Sequence, residues 1–433
     1  MKLVLHRVDH LKGATRIPGD KSITHRALLL SALSEGSSRI RGHLQGGDCA
    51  ATISCLRDLG ISIQEKKLDE LIVHGKGLYG WQEPNEVLNC QRSGTTMRLL
   101  AGALAGQSFY SIVSGDPQLR RRPMDRITQP LQLMGAEIWG RQGGRLPPLS
   151  INGSPLRGID YNLPIASAQV KSCLLLAAMY ASGESHIIEP GPSRDHTERM
   201  LRARGVELVS QELAHQIEGP VTNIKAIDTD VPGDFSSAAY LAVAASLLTG
   251  SEITIWNVGI NPTRTGLLDV LTEMSAEIIL LNKRDQAGEP VADLWVRSHE
   301  LKATAVGGDL VPRMIDEFPI LALAATQANG ITRVSDAAEL RVKETDRVAT
   351  TVDNLRLMGA KIEAAQDGFI IEGPTPLHGA DVDSCGDHRL GMTLAIAALI
   401  AEGETRVARS ECIADSFPGF IECLDGLAEE SLR

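Results

Sequence analysis

The chain has 433 residues, of which 43% are hydrophobic, 22% are charged and only 3% are aromatic. This length exceeds one compact core of ordinary size, so we expect two domains of a globular protein. A formal net charge of -11, together with few aromatic side chains, argues against nucleic acid and anionic membranes as general partners.

The seven cysteines are scattered through the chain without a C-x-x-C pair, which is typical of reduced cytosolic thiols rather than a disulfide framework or a zinc site. The first residues, MKLVLHRVDHLKG, have too short an apolar run before His6 to form the core of a signal peptide. The apolar stretches fall below the roughly 18 residues that cross a bilayer. We therefore expect a cytoplasmic protein with no membrane partner.

Six segments along the chain share one layout: a polar, proline or glycine start, then an alanine- and leucine-rich helix of about three turns, then a glycine. These glycines are Gly36, Gly106, Gly183, Gly250, Gly330 and Gly403. Consecutive members lie 67 to 80 residues apart, so one unit recurs along the whole chain. Each glycine suits the left-handed position past a helix end, and the polar and β-branched run after it predicts a strand.

A second pattern follows in five of the six units and predicts another helix, a turn and a strand. Its copies are LRDLGISI from Leu56, LQLMGAEI from Leu131, LRARGVEL from Leu201, LTEMSAEI from Leu271 and LRLMGAKI from Leu355. Each unit is therefore of α/β type, and its period is too long for a solenoid repeat. Six copies suggest three per domain with a boundary near residues 224–230, although a single ring of six units fits the same pattern.

Polar residues concentrate at the predicted starts of the apolar helices, where backbone N–H groups lack partners and the helix dipole is positive. They are Lys21, Ser22 and Arg26; Arg92, Ser93, Gly94 and Thr95; Ser167 and Gln169; Asp316 and Glu317; and Asp387, His388 and Arg389. Serine, threonine and aspartate there are expected as helix caps. A cation at a positive helix end is unfavourable unless an anion binds beside it, so Lys21, Arg92 and Arg389 indicate anionic ligands.

Other charged motifs are less specific. GDKS at Gly19 lacks the first glycine of a P-loop, because Thr15 stands at that position, and we reject a nucleotide-hydrolysing enzyme. Three further clusters are each more often a solvated surface than a site: LRRRP with Arg120 to Arg122, GPSRDHTER with Ser193 and Arg194, and LRVKETDR with Lys343, Glu344 and Arg347. His25, His196 and His388 follow no metal-ligand spacing, and we interpret His25 and His388 as local hydrogen-bonding partners.

Many ordered blocks resemble the 5-enolpyruvylshikimate-3-phosphate synthase family along nearly the whole chain. They are PGDKSITHRALLLSAL, SGTTMRLLAG, LRRRPMDR, LPIASAQVKS, SRDHTERM, VPGDFSSAA, NPTRTG, IDEFPILALAA, ELRVKETDR, GDHR and SFPGF. The resemblance implies a transferase that moves the carboxyvinyl (enolpyruvyl) group of phosphoenolpyruvate to the 5-hydroxyl of shikimate 3-phosphate and releases phosphate. This is a step of the shikimate pathway to chorismate and the aromatic amino acids.

The resemblance also implies a two-domain inside-out α/β barrel built from six βαβαββ repeats, three per domain. One domain would comprise residues 1–19 and 229–433, and the other residues 20–228, with the active site in the cleft between them. No metal and no cofactor are expected, and the protein is expected to be a monomer.

The family pattern assigns site residues position by position. Shikimate 3-phosphate would be bound by Lys21, Ser22, Arg26, Ser167, Ala168, Gln169, Ser193, Arg194, Asp316 and Lys343. Phosphoenolpyruvate would be bound by Lys21, Gly94, Arg122, Gln169, Arg347 and Arg389. The implied catalytic residues are Lys21, Asp316 and Glu344: Asp316 as the base for the hydroxyl, and Lys21 and Glu344 as candidates for moving the methylene proton.

The chain departs from the family pattern at two places. Gln91 and Arg92 stand where the family has Gly-Asn, and we hypothesise a shifted affinity for phosphoenolpyruvate with the chemistry retained. Asp415 stands where many members have a basic residue, so a lysine contact there is not transferred. Gly94 is the small residue that leaves room for glyphosate in this family, which predicts sensitivity to that inhibitor.

Two other functions stay open at this point. An enolpyruvyl transferase acting on UDP-N-acetylglucosamine normally carries a reactive cysteine before an Arg-Pro pair, and SGDPQLRRRP has none. A non-catalytic anion-binding protein on the same scaffold is the second alternative, although Lys21, Asp316 and Glu344 argue against lost activity. Phosphate release with each acceptor distinguishes the three.

Overall fold

The computed structural model describes residues 2–67, 69–428 and 432. The chain forms two compact units. The discontinuous unit contains the described residues of 1–18, 232–284 and 290–433, and the inserted unit contains those of 19–231 and 285–289. Each unit has a hydrophobic core of its own. No helix in the described ranges is long and apolar enough to span a membrane.

The strands are short and recur throughout the chain. They are β1 (Lys2–Leu5), β2 (Lys12–Arg16), β3 (Glu35–Arg41), β4 (Ser62–Lys67), β5 (Glu70–Lys76), β6 (Leu88–Asn89), β7 (Tyr110–Ser114), β8 (Glu137–Gly140), β9 (Leu146–Asn152), β10 (Asp160–Asn162), β11 (Gly183–Ile188), β12 (Leu208–Gln211), β13 (Ala214–Gly219), β14 (Thr229–Asp230), β15 (Glu252–Gly259), β16 (Glu277–Gln286), β17 (Glu289–Arg297), β18 (Ala305–Val306), β19 (Gly330–Val334), β20 (Lys361–Ala364), β21 (Phe369–Gly373), β22 (Asp381–Asp383) and β23 (Thr405–Ala408).

The helices comprise six apolar ones and, between and after them along the chain, others that are only partly buried. They are α1 (Lys21–Leu33), α2 (Gly47–Asp58), α3 (Gly94–Ala105), α4 (Asp125–Leu133), α5 (Arg141–Gly144), α6 (Ala168–Ala178), α7 (His196–Ala203), α8 (Phe235–Leu247), α9 (Gly266–Glu273), α10 (Leu310–Arg313), α11 (Phe318–Thr326), α12 (Arg347–Leu357), α13 (His388–Ile400) and α14 (Phe420–Asp425). Single 3-10 turns cover Leu119–Arg121, Ala338–Val342 and Ser410–Asp415.

The described strands form one small sheet per predicted repeat. In the inserted unit the strand orders are β14-β3-β5-β4, β6-β7-β9-β8 and β10-β11-β13-β12. In the discontinuous unit they are β16-β17-β15-β2, β18-β19-β21-β20 and β1-β23-β22. Each sheet contains one parallel pair, such as β6 with β7, next to an antiparallel pair, such as β7 with β9. Three repeats therefore lie in each unit.

The six apolar helices predicted from the sequence form the centres of the two cores. They are α1, α3 and α6 in the inserted unit, and α8, α11 and α13 in the discontinuous unit. Nearly every residue of each helix is buried, as expected of helices that are apolar on all faces.

The repeated glycines adopt the predicted left-handed backbone with one exception. Gly36, Gly183, Gly250, Gly330 and Gly403 all have positive φ angles. Gly106 has a φ of -96°, and a Cβ there would lie 2.3 Å from Cγ of Tyr180. The repeat therefore keeps a glycine at Gly106 because of close packing rather than backbone handedness.

Helices α3 and α6 approach one another at Gly102. A Cβ at this position would lie 2.2 Å from the backbone oxygen of Cys173, and the backbone atoms of α6 cannot move aside independently. We predict that Gly102→Ala lowers the free energy of unfolding by about 1 to 3 kcal/mol through overpacking, measured by urea denaturation. Intrinsic helix propensity alone would give a gain of about 1 kcal/mol, so the sign separates the two effects.

The matched control is Gly47→Ala, because Gly47 also lies within a helix but has no atom within 4 Å of its added Cβ. This variant should be neutral or slightly more stable. Equal stability for Gly102→Ala and Gly47→Ala would contradict close packing at the α3–α6 contact.

Candidate active site

The first turn of α1 carries the predicted cation of the inserted unit. Asp20 caps the helix by accepting from the backbone N–H of Ile23 at 2.9 Å, as expected of an aspartate at this position. Lys21 follows directly, and its Nζ lies 3.5 Å from Oδ2 of Asp48. The lysine is half-buried, so its ammonium lies at the border of the core rather than within it.

A buried chain of hydrogen bonds joins α1 to the start of α3. His25 Nδ1 lies 2.7 Å from Thr52 Oγ1, which lies 2.7 Å from Thr96 Oγ1, and Thr96 donates to Ser93 Oγ at 2.7 Å. Ser93 also caps α3 by accepting from the backbone N–H of Thr96. Burial lowers the pKa of His25 to about 3, so the imidazole is neutral at physiological pH.

Two guanidinium groups lie against Gly94 at the start of α3. A Cβ added at Gly94 would be 2.9 Å from Arg122 Nη1 and 3.0 Å from Arg98 Nη1. Arg98 Nη1 donates to Oε1 of Gln169 at 2.5 Å, and Nε2 of Gln169 donates to Oγ1 of Thr95 at 2.9 Å. Three predicted residues, Gly94, Arg122 and Gln169, are thus brought together by Arg98.

Arg98 was not predicted from the sequence. It lies one helical turn after Gly94 on a helix that is otherwise apolar, and a cation at that spacing was the signal that could have found it. Burial, with the nearby charges of Arg122 and Arg126, lowers the pKa of Arg98 to about 10. It therefore stays charged at neutral pH and adds positive charge beside Gly94.

Arg92 lies apart from this group. Its side chain is 70% exposed, and Nε lies 3.2 Å from Oδ2 of Asp116. The preceding residue, Gln91, has a φ of 50°, which is a left-handed backbone where the family pattern has glycine. Arg92, the cation predicted at this helix start, is thus paired at the surface. Arg122 and Arg98 are the cations that lie beside Gly94.

The start of α6 gathers further predicted residues. Ser167 caps the helix and is followed by Ala168 and Gln169. Ser193 donates to Oε1 of Glu189, and the half-buried Arg194 lies close enough to Arg26 for its charge to lower the pKa of Arg26. These residues belong to the unit that also carries Lys21, Ser22 and Arg26.

A buried cluster of charged residues is joined to this region through Glu189, which accepts a hydrogen bond from Ser193. Oε2 of Glu189 and Oε1 of Glu198 each lie 2.6 Å from Nζ of Lys171, and His215 Nε2 lies 3.1 Å from Oε2 of Glu189. The two glutamates and His215 also offer ligand atoms within 4.8 Å of one another, a spacing that suits a metal ion. The ammonium of Lys171 already lies between the two carboxylates and supplies the positive charge there.

In the discontinuous unit, the guanidinium of Arg347 at the start of α12 donates hydrogen bonds to three carboxylates. Its Nε donates to Asp387 Oδ2 at 2.8 Å, Nη1 to Asp316 Oδ1 at 3.2 Å and Nη2 to Glu344 Oε2 at 2.7 Å. Burial alone would lower the pKa of Arg347, but Glu344, Asp387 and Asp316 raise it above its ordinary value. The predicted catalytic pair, Asp316 and Glu344, thus lies on one guanidinium.

Arg389 lies in the first turn of α13, and its guanidinium has far fewer hydrogen-bond partners than that of Arg347. Its side chain is 5% exposed, and its Nη2 lies 4.0 Å from Asp316 Oδ2. Nε and Nη1 have no hydrogen-bond partner among the described residues. Burial opposes the charge of Arg389, whereas Asp316 raises its pKa, so the group is a cation. A buried guanidinium with unused donors is suited to bind an anion.

Lys343 does not join the Arg347 cluster through a direct contact. Its Nζ lies 3.6 Å from Oε1 of Glu339, which belongs to the 3-10 turn that ends at Val342. Asp415 is exposed at the end of another 3-10 turn. The structure therefore brings Asp316, Glu344, Arg347 and Arg389 together and leaves Lys343 beside them in the chain.

Fold and site together define an enzyme that handles small, multiply charged anions on a repeated α/β scaffold. The chain matches the family model described as EPSP synthase (3-phosphoshikimate 1-carboxyvinyltransferase) over residues 5–424 and belongs to this family. That family acts on small molecules, and the predicted family and enzyme class are confirmed.

Individual relatives agree. The 3-phosphoshikimate 1-carboxyvinyltransferase of Brevibacillus brevis is 50% identical over 98% of this chain and 99% of its own length. The enzyme of the same name from Synechocystis is 51% identical, covering 97% and 94% of the two chains. An EPSP synthase structure from Acinetobacter baumannii superimposes with a TM-score of 0.92 at 42% identity, covering 99% and 98%. The predicted fold class is confirmed by this match.

The buried neutral His25 makes stability depend on pH. In the unfolded chain a histidine takes up a proton near its ordinary pKa of 6.5, whereas the folded protein does so only near 3. We predict that the contribution of His25 to stability is complete above pH 6.5 and falls by about 1.4 kcal/mol per pH unit below it. Urea unfolding of the wild type and His25→Asn between pH 5 and 7 measures this. Identical slopes for the two proteins would contradict a buried neutral imidazole.

Proposed function

We propose that the chain transfers the carboxyvinyl group of phosphoenolpyruvate to the 5-hydroxyl of shikimate 3-phosphate and releases phosphate. The observation that carries this proposal is Arg389, a buried guanidinium whose Nε and Nη1 lack hydrogen-bond partners in the described chain. Membership of the EPSP synthase family supports both substrates. The reaction belongs to the shikimate pathway, and we propose that the protein is a cytoplasmic monomer that uses no metal and no cofactor.

Phosphoenolpyruvate is held, in this proposal, by two groups of residues that are rich in cations. One group consists of Gly94, Arg122, Gln169 and Arg98, and Lys21 lies at the start of the neighbouring α1. Arg347 and Arg389 form the other. Planar guanidinium groups match carboxylate and phosphate oxygens in pairs, which explains the preference for arginine.

Arg347 must give up one of its carboxylate partners before it can bind phosphoenolpyruvate. Its Nε contacts Asp387, its Nη1 contacts Asp316, and its Nη2 contacts Glu344 and also, at 3.5 Å, Oδ1 of Asp387. Only one N–H group, on Nη1, is left over, so no pair of N–H groups is open to an anion. Glu344 is the exposed member, with 41% of its side chain accessible, whereas Asp387 is buried. We propose that the anionic donor displaces Glu344 from Nη2, which frees this carboxylate for proton transfer.

Shikimate 3-phosphate is bound, in this proposal, by residues of both units. Its phosphate lies near Ser167, Ala168 and Arg194, where the N-terminus of α6 and a cation coincide. Arg26 binds the carboxylate, and Ser22 binds ring hydroxyl groups. The remaining contacts are assigned to Lys21, Gln169, Ser193, Asp316 and Lys343. Asp316 and Lys343 belong to the discontinuous unit, and the other proposed contacts belong to the inserted unit.

The chemistry is an addition followed by an elimination. The 5-oxygen bonds to the central carbon of phosphoenolpyruvate, its proton passes to Asp316, and the methylene carbon takes a proton to become a methyl group. The bond to the phosphate oxygen then breaks as the methyl group returns a proton. Lys21 and Glu344 are the proposed groups that exchange this carbon-bound proton. Arg389 and Arg347 stabilise the charge on the departing phosphate.

The direct test is phosphate release by the purified chain with phosphoenolpyruvate and each acceptor. We expect release with shikimate 3-phosphate, none with UDP-N-acetylglucosamine, and at least a hundredfold slower release by Asp316→Asn, which keeps the shape but loses the base. Release only with the nucleotide sugar would identify the other transferase. No release above a blank with either acceptor would favour a non-catalytic anion binder.

Gly94→Ala tests the donor pocket. The added Cβ would crowd Arg122 Nη1 and Arg98 Nη1, so both guanidiniums must shift by a few tenths of an ångström. We predict a rise of about tenfold in the KM for phosphoenolpyruvate, with the KM for shikimate 3-phosphate unchanged, in steady-state kinetics. Inhibition by glyphosate should weaken in parallel, if the predicted sensitivity holds.

The control is Arg92→Asn, because Arg92 is mostly exposed and paired with Asp116. An unchanged KM for phosphoenolpyruvate in this variant removes Arg92 from the donor pocket and ends the hypothesis of a shifted affinity. A KM that rises in Arg92→Asn but not in Gly94→Ala would reverse the assignment of the two positions.

A further inference from the structure

The guanidinium of Arg26 donates hydrogen bonds to three neutral groups. Nε donates to Oγ1 of Thr197 at 2.6 Å, Nη2 donates to Oγ of Ser172 at 2.8 Å, and Nη1 donates to the backbone oxygen of Ser22 at 3.0 Å. Thr197 and Ser172 are buried, and they lie 171 and 146 residues from Arg26 in the chain. None of the hydrogen-bond partners of Arg26 among the described residues is charged.

The hydrogen atoms of the two hydroxyl groups are already committed. Ser172 donates to the backbone oxygen of Ala168 at 2.6 Å, so the 2.6 Å contact between Ser172 and Thr197 is donated by Thr197. Both hydroxyl oxygens are therefore acceptors toward Arg26. These hydrogen bonds hold the two side chains with their oxygens facing the guanidinium, an arrangement that we call the cradle. Neither hydroxyl can turn its hydrogen toward the cation without losing a hydrogen bond.

The cradle leaves a defined pair of donors. A guanidinium has five N–H groups, and three of those of Arg26 are used, one on each nitrogen. The two that remain lie on Nη1 and Nη2, the pair that binds a carboxylate through two parallel hydrogen bonds. Burial lowers the pKa of Arg26 to about 10, so the group stays charged at neutral pH.

A carboxylate partner in place of the hydroxyls would change this behaviour. Arg347, which has three carboxylates around it, has no open pair of donors, as described above. Neutral partners fix the orientation of Arg26 without consuming its charge, which stays available to a ligand. Among the carboxylates that offset burial and raise the pKa of Arg26, Glu198 has the largest effect, but it makes no hydrogen bond to Arg26 and is itself paired with Lys171.

We propose that Ser172 and Thr197 are positioning residues that aim the Nη1 and Nη2 donors of Arg26 at the carboxylate of the acceptor and so select acceptors that carry one. This inference rests on the proposed function, which assigns the acceptor carboxylate to Arg26. Ser172 and Thr197 touch Arg26 rather than the substrate, and they act by holding its guanidinium in one plane. Their side chains have no other hydrogen-bond partner than Arg26, Ala168 and one another in the described chain.

The test compares Thr197→Val with the wild type on two acceptors: shikimate 3-phosphate and its carboxamide analogue. Valine keeps the shape of threonine but leaves Nε of Arg26 without its acceptor. With shikimate 3-phosphate, the KM of the acceptor should rise about tenfold or more, while kcat and the KM for phosphoenolpyruvate stay within about twofold. With the carboxamide, the wild type binds more weakly, and the further loss in Thr197→Val should shrink to about twofold or less.

Three comparison variants make the result specific. Thr197→Ser restores an acceptor for Nε and should recover most of the wild-type KM. Thr128→Val is the matched control, because Thr128 is an equally buried threonine of the same unit that donates to the backbone of Gly144 instead. Ser172→Ala removes the other acceptor and should repeat the loss, and it replaces Thr197→Val if that protein does not fold by circular dichroism.

The outcomes separate this proposal from the function itself. Equal losses in Thr197→Val and Ser172→Ala with both acceptors would overturn the positioning role and leave the function standing. A loss confined to kcat, or one matched by Thr128→Val, would also overturn it. A wild type that neither binds nor converts shikimate 3-phosphate would overturn the proposed function and this role together.

Discussion

Buried guanidinium groups that lack carboxylate partners are the constraint on which the site depends. Burying a charge is costly unless something pairs with it, and a cation in the first turn of a helix also opposes the helix dipole. Both costs apply to Arg389 at the start of α13, because the carboxylate oxygen of Asp316 lies 4.0 Å from its Nη2. The core of the discontinuous unit must stabilise this arrangement by packing, and an anion that binds there relieves it.

Three arginines show how partner chemistry sets the readiness of a cation to bind. Arg347 is surrounded by carboxylates, so an incoming anion must first displace one. Arg26 donates to hydroxyl and carbonyl oxygens, which orient it without pairing its charge directly with a carboxylate. Arg389 has the fewest contacts of the three. In the proposed mechanism, this order runs from a cluster that transfers protons, where carboxylates are needed, to a site that only binds an anion, where they would compete.

The sequence predicted the parts of this protein that depend on local pattern. Helix periodicity and recurring glycines identified the six apolar helices, and the caps at Ser93, Ser167 and Asp387 were predicted from residue type alone. The assignment of the substrate-binding roles and of the two domains stays a prediction. Gly106 shows the limit of local reasoning, because its glycine is explained by Tyr180, a residue of another repeat.

Residues that act through distant partners could not be found in this way. Ser172 and Thr197 look like ordinary small polar residues of amphipathic or apolar helices, and only the fold brings them to Arg26. The contact between Arg98 and Gln169 also joins residues 71 positions apart, so the sequence offered only the spacing of Arg98 from Gly94 as a signal. Arg92 shows the opposite case: a cation at a predicted helix start whose side chain pairs with Asp116 at the surface.

The fourth repeat explains why a repeated scaffold gives an asymmetric site. Helix α8 begins like the others, with Asp234 as its cap, but Arg264 Nη2 donates to Asp234 at 3.0 Å and to Ser236 Oγ at 2.7 Å. Ser236 donates in turn to Glu317 at the start of α11. Side chains of the unit itself thus engage the start of α8, whereas Arg389 at the start of α13 keeps unused donors. Under the proposed function, similar helix ends serve either as structural contacts or as ligand sites, and the difference is whether the protein itself or the bound substrate provides the counter-charge.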